Sequence, residues 1–156
     1  MAARFENRQD AGRQLARQLD AYKNRDDVVV LGLPRGGVPV ALEVAKELDA
    51  ALDVFTVQKL GVPGQPELAM GAIASGGARV LNDDVIQSLG IDTSTVDDIT
   101  ARKRQELEEK EQHYRTEGER PAIQGKVVIL VDDGLATGAS MRVAVNAVRS
   151  QNPSQV

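Results

Sequence analysis

VVVLGLPRGGVPVALEVAKELDAALDVFTVQKL, residues 28 to 60, decides the fold. Its first six residues, VVVLGL, are mostly apolar and dominated by β-branched Val, a composition that suits a strand covered on both faces. Pro34-Arg35-Gly36-Gly37 ends that strand. Residues 38 to 48 then place Val40, Val44 and Leu48 on one face of a helix, and LDVFTVQKL, ending at Leu60, reads as a second strand. Strand, helix and strand in so short a span make a β-α-β unit, which implies parallel strands joined by a right-handed crossover.

Upstream, DAGRQLARQLDAY spaces Ala11, Leu15 and Leu19 four apart, the stripe of an amphipathic packing helix. Downstream, GVPGQPEL (61 to 68) holds two Gly and two Pro in eight residues, which predicts a mobile, irregular loop of the kind that works as a lid. MGAIASGGARVLN (70 to 82) predicts a β-hairpin around Ser75-Gly76-Gly77. TSTVDDITARKRQELEEKEQHYR (93 to 115) predicts a long exposed helix, with Ser94 and Asp97 at capping-box spacing. Its sparse apolar residues, Val96, Ile99 and Leu107, suit docking on the domain or on a second subunit, a possible homo-oligomer contact. GKVVILVDD is a third buried strand, and SMRVAVNAVRS (140 to 150) is a helix whose Val143, Ala147 and Val148 cover the sheet.

The expected architecture is therefore α/β: a parallel-sheet, Rossmann-like core with a β-hairpin and a helical insertion over residues 83 to 122, all in a single domain spanning 1 to 156. A doubly wound sheet wants another strand after the last helix, and SQV looks like its start, so the chain reads as truncated before its final core strand. Composition narrows the function classes. A net charge of −4 with no basic tail argues against general nucleic-acid binding. The absence of Cys excludes disulfides, thiolate metal sites and a cysteine nucleophile, and fits the cytoplasm. No stretch approaches the roughly 20 apolar residues that span a bilayer, so no membrane is expected.

VVILVDDGLATGAS, residues 127 to 140, carries the chemistry. In open α/β sheets ligands bind beyond the carboxyl ends of the strands. After the third strand, Ala136, Thr137, Gly138, Ala139 and Ser140 are small enough for a ligand to approach the backbone, and their N–H groups precede a helix, which makes a phosphate cradle. Asp132 and Asp133 accept hydrogen bonds only. A ribose 5-phosphate satisfies both demands, its vicinal hydroxyls facing the acids and its phosphate facing the amides.

These residues resemble the type I phosphoribosyltransferases, whose ribose-phosphate motif is an apolar strand, two acids, two residues that are usually apolar and a small Thr/Gly-rich loop. LGLPRGGVPVALEVAKEL (31 to 48) looks like the family's pyrophosphate loop, and VQKLGVPGQPELAMGAI with LPRGG is similar to a group of predicted bacterial phosphoribosyltransferases. The resemblance implies transfer of ribose 5-phosphate from phosphoribosyl pyrophosphate to a small nitrogenous acceptor, with Mg²⁺ and release of pyrophosphate. Carried over, Arg35 with the amides of Gly36 and Gly37 holds pyrophosphate, and Asp132 and Asp133 face the ribose and a hydrated Mg²⁺. Lys59 either adds charge or is an ordinary strand-end lysine. Gly61, Gly64 and Glu67 belong to the lid.

Ala136 departs from the Asp that many purine-specific members carry there, so a purine acceptor does not follow. His113, the only histidine, reads as solvated rather than catalytic. Ser75 lacks the strand-to-helix context of a nucleophile elbow, and PRGG lacks the Gly-Lys-Ser/Thr ending of a P-loop. The competing reading is a non-catalytic domain that binds phosphoribosyl pyrophosphate or a nucleotide as a signal. A receiver-like phospho-acceptor is disfavoured, because a receiver's acids are spread over different strands.

Overall fold

The computed structural model describes residues 5–113, 121–134 and 139–156. α1 (Arg8–Gln18) starts at Asn7, whose side chain accepts from the Asp10 amide. Its packing face is rotated from the expected stripe. Gly12 and Ala16 are buried whereas Leu15 is 38% exposed. A Cβ at Gly12 would lie 2.5 Å from Glu43 Cβ and 2.8 Å from the Val40 carbonyl oxygen, so the helix approaches its neighbour too closely for larger side chains to point inward.

β1 (Val28–Gly32) is buried along its whole length and leads into α2 (Gly37–Leu48), whose Val40, Val44 and Leu48 are buried as expected. The next stretch departs from the expectation of one strand over 52–60. It is two strands, β2 (Ala51–Val54) and β3 (Val57–Val62), which belong to different sheets. Phe55 donates its amide to the Gly32 carbonyl at 2.9 Å, and its ring is almost fully buried, so the chain leaves the parallel sheet there.

β3 runs straight into β4 (Gln65–Ala74) through Pro63-Gly64, which corrects the mobile loop expected over 61–68. Gly64 takes a φ of +81°, a value L-residues resist, and the Val62–Gln65 and Gly61–Ala69 pairs close a hairpin with register shifts around Gly61. Pro and Gly mark its turn rather than a loss of regular structure. The expected hairpin follows, with β5 (Ala78–Leu81) antiparallel to β4 across Ser75–Gly77.

Two helices, α3 (Asp83–Ser88) and α4 (Thr93–Gln112), follow β5. α4 begins earlier than a Ser94 cap requires: Asp92 is its N-cap, without a side-chain cap bond, and Asp97 instead accepts from Arg79 Nη1 at 2.9 Å. Val96, Ile99 and Leu107 are buried with Leu60, Val62, Met70 and Ile73, so α4 docks on the chain's own antiparallel sheet and the stripe is not left for a second subunit.

β6 (Val127–Val131) pairs in parallel with β1, giving the order β2-β1-β6 beside the separate β3-β4-β5 sheet. α5 (Ala139–Arg149) covers one face of β1 and β6, with Ala144, Ala147 and Val148 packed on Val29, Leu31 and Val128; α2 covers the other at Val30 and Val131. Within SQV, Gln155 makes a parallel bridge to Val127. No helix among the described residues is long and apolar enough to cross a membrane.

Candidate functional site

The carboxyl ends of β1 and β6 stand side by side, so the loops that follow them meet. Leu33 continues the pairing by donating to the Val131 carbonyl at 2.9 Å, and the Gly37 amide closes the turn onto the Leu33 carbonyl at 3.0 Å. The Pro34–Arg35 peptide is cis. Backbone requires the glycine at 37, and the Asp133 side chain rests on the one at 36. A Cβ on Gly36 would sit on the Asp133 carboxylate, 1.8 Å from Oδ2, and one on Gly37 would lie 2.6 Å from the Val131 carbonyl oxygen and 2.9 Å from Asp132 Cα. The glycine loop and the acid pair are thus in contact.

A cavity of about 440 Å³ opens beside this junction. Leu33, Pro34 and Arg35 line it from the first loop, Asp132 from the second, and Thr56 and Lys59 from the start of β3. Lys110 and His113 line it from the end of α4. Burial raises the Asp132 carboxyl above the ordinary carboxylate value; the Asp133 amide, which donates to Asp132 Oδ1 at 2.8 Å, pulls it back, and the neighbouring carboxylate adds to the rise. Asp133 behaves oppositely. Arg8 Nη2 donates to its Oδ2 at 3.0 Å and holds its carboxyl below the ordinary value. Asp133 lines a different cavity, about 540 Å³, with Phe5, Asn7, Arg8 and Pro39.

Of the expected site residues, Arg35, Lys59 and Asp132 come together in one cavity, with Gly36 and Gly37 packed against the acids. Asp133 is adjacent but engaged by Arg8. Gly61, Gly64 and Glu67 sit in the β3–β4 hairpin and none lines the 440 Å³ cavity. Ala136, Thr137 and Gly138 lie outside the described residues, and Ala139 and Ser140 open α5. Lys110 and Arg8 are additions that the sequence reading missed, and His113, exposed as expected, also stands on the cavity wall.

Three or more His, Asp or Glu placed to hold a metal are not found among the described residues. A carboxylate facing a cation-lined cavity fits an ion brought with a phosphate ligand better than one caged by protein alone.

Parallel strands whose C-terminal loops bring a glycine turn against an acid pair place the candidate site where open α/β sheets bind their ligands. Sequence comparison sharpens this. The phosphoribosyl transferase domain model matches residues 3–75 and 68–156, and the chain belongs to that family. It is 49% identical over 152 residues to a Mycobacterium tuberculosis H37Rv protein provisionally named a phosphoribosyl transferase. That match covers 97% of this chain but 34% of the relative, so the chain spans about a third of that protein. Among solved structures, TT1426 from Thermus thermophilus is 44% identical with a TM-score of 0.82, over 97% of this chain and 71% of that one. The purine phosphoribosyltransferase of Pyrococcus horikoshii shares the fold at 18% identity and a TM-score of 0.51, over 93% of this chain and 65% of that one.

Proposed function

We propose that the chain binds phosphoribosyl pyrophosphate and transfers its ribose 5-phosphate to a small nitrogenous acceptor, releasing pyrophosphate. The observation that carries this reading is the contact of Gly36 and Gly37 with the Asp132-Asp133 pair beside a cavity lined by Arg35 and Lys59. In such a transfer the bond from ribose C1 to the pyrophosphate oxygen breaks as the acceptor nitrogen approaches, leaving positive charge on the sugar and negative charge on the leaving group. The protein's main task is to meet that negative charge with donors already in place. Arg35 and Lys59 are suited to it, while the Gly37 amide, already given to the Leu33 carbonyl, holds the shape of the loop. Asp132 accepts from the ribose hydroxyls and is the residue that would hold Mg²⁺, through water, when the ion arrives on the ligand's oxygens. Bound Mg²⁺ would supply further charge neutralisation on the leaving group. We assign water exclusion to the β3–β4 hairpin and the 5-phosphate to residues 136–140.

Calorimetric titration with phosphoribosyl pyrophosphate in the presence of Mg²⁺ tests the reading. The double variant Asp132→Asn with Asp133→Asn is expected to keep the wild-type melting profile and lose binding. Unchanged affinity would remove the ribose-site assignment. Incubation with a panel of bases then separates turnover from signalling: tight binding without pyrophosphate release favours a regulatory domain.

A further inference from the structure

The loops after β1 and β6 do not account for the whole cavity wall. Lys110 and His113, three residues apart at the end of α4, line the same cavity as Arg35, Lys59 and Asp132. Arg35, Lys59 and Lys110 form no salt bridge among the described residues, whereas Arg8, Arg25, Lys46, Arg79 and Lys103 each have a carboxylate partner. Asp132 is the carboxylate among the lining residues. Three cations and an imidazole around one acid suit a ligand group carrying several negative charges.

The end of α4 is also anchored. Glu111, 6% exposed, accepts a hydrogen bond from Ser75 Oγ, and that oxygen accepts from the Thr56 amide at 2.8 Å. Thr56 itself lines the cavity. The residue next to Lys110 is therefore tied through a buried link to the start of β3, which makes Glu111 a positioning residue for the α4 wall. Upstream, Leu107 fixes the same helix in the core. A lysine on an anchored turn is pre-organised toward the cavity in a way that one on a free helix end is not.

We propose that Lys110 and His113 complete, with Arg35 and Lys59, a subsite for the diphosphate group of the ligand, so that α4 takes part in leaving-group binding. The inference rests on the reading of the chain as a phosphoribosyl pyrophosphate-binding domain. It adds to that reading a contact from outside both sequence motifs. Lys110 also offsets the partial negative charge at its own helix end, so the test must separate ligand binding from helix stability.

Calorimetric titrations of the chain with inorganic pyrophosphate, phosphoribosyl pyrophosphate and ribose 5-phosphate, at one fixed Mg²⁺ concentration, make that separation. The variant Lys110→Gln with His113→Gln is expected to weaken pyrophosphate and phosphoribosyl pyrophosphate binding by the same factor, about tenfold or more, on the scale of a lost charge-assisted hydrogen bond. Ribose 5-phosphate affinity and the melting profile stay at the wild-type values. Arg102→Gln removes a charge from α4 away from the cavity and leaves all three affinities unchanged. Unaltered pyrophosphate affinity in the double variant, or an equal loss in Arg102→Gln, overturns the proposal. A wild-type chain that binds ribose 5-phosphate but not pyrophosphate overturns it alone, and one that binds neither overturns the functional reading with it.

Discussion

The two sheets bury themselves differently. β1 and β6 lie between α2 and α5 and are apolar on both faces, while β3, β4 and β5 take α4 through the narrow stripe of Val96, Ile99 and Leu107 and meet α5 at Ala74 and Ala78. The parallel sheet positions backbone: loop ends, close glycines and a carboxylate at the cavity. The antiparallel sheet and its helix present cationic side chains, Lys59 and Lys110. The candidate site lies where the two packings meet, one wall built from the loop ends of the parallel sheet and the other from the start of β3 and the anchored end of α4.

The largest test of this contrast is Leu107→Ala. Leu107 is 4% exposed, and truncating a buried Leu costs about 2–5 kcal/mol, read by denaturant unfolding. If the two regions differ as described, amide exchange speeds first along α4 and β3–β5 while β1 and β6 stay protected. Uniform loss of protection would show one cooperative unit and break the comparison.

Two glycines sharpen it at lower cost. In Gly37→Ala the new Cβ meets backbone at 2.6 Å and 2.9 Å, which neither neighbour can relieve by a rotamer change, so about 1–3 kcal/mol of stability is lost and Asp132 shifts. Gly64 has nothing within 4 Å, and its substitution carries only the penalty of a positive φ, roughly 1–2 kcal/mol. Thermal melts compare the two. Only Gly37→Ala is expected to weaken ribose 5-phosphate binding as well, and an equal loss in both variants would show that the hairpin tip is coupled to the ribose site.

The parallel half was legible in the sequence because its strands are fully buried, and continuous Val/Ile/Leu runs followed by PRGG or DD leave few alternative readings. The antiparallel half was legible only at the β4–β5 hairpin around Ser75-Gly76-Gly77. VFTV hides a change of sheet that turns on the burial of Phe55, a tertiary fact with no local signature. GVPGQPEL hides a hairpin because Pro and Gly mark a tight turn and a loop alike. At the site, Arg35 and Asp132 were visible through motif and strand-end position, whereas Lys59, read as a strand-end lysine, lies inside β3 and reaches the cavity from there. Lys110 and His113 were not, because a polar helix gives no sign of which of its charges face a cavity built by strand ends distant in sequence. Arg8 was missed for the same reason: its partner lies toward the far end of the chain.

The smallest effect belongs to that last contact and compares two adjacent carboxylates. Arg8 and Asp133 are 57% and 37% exposed, so Arg8→Ala is expected to cost less than about 1 kcal/mol. Its pH dependence is the informative part. Arg8 holds the Asp133 carboxyl low, so the pair stabilises the fold in full above the unfolded carboxylate value, about 4, and loses that contribution as pH falls through the lower folded value. The gap between wild type and Arg8→Ala in chemical unfolding should therefore be constant at neutral pH and close only on strong acidification. Asp132 works in the opposite sense: its folded carboxyl is raised, so its ionisation costs stability at neutral pH and Asp132→Asn should be neutral or stabilising there. On the function proposed above, in which ionised Asp132 accepts from the ribose hydroxyls, phosphoribosyl pyrophosphate binding should begin to fall at a pH where an ordinary carboxylate is still charged. Were both variants to shift stability in the same direction at neutral pH, the two acids would share one environment and the separation made by Arg8 would fail.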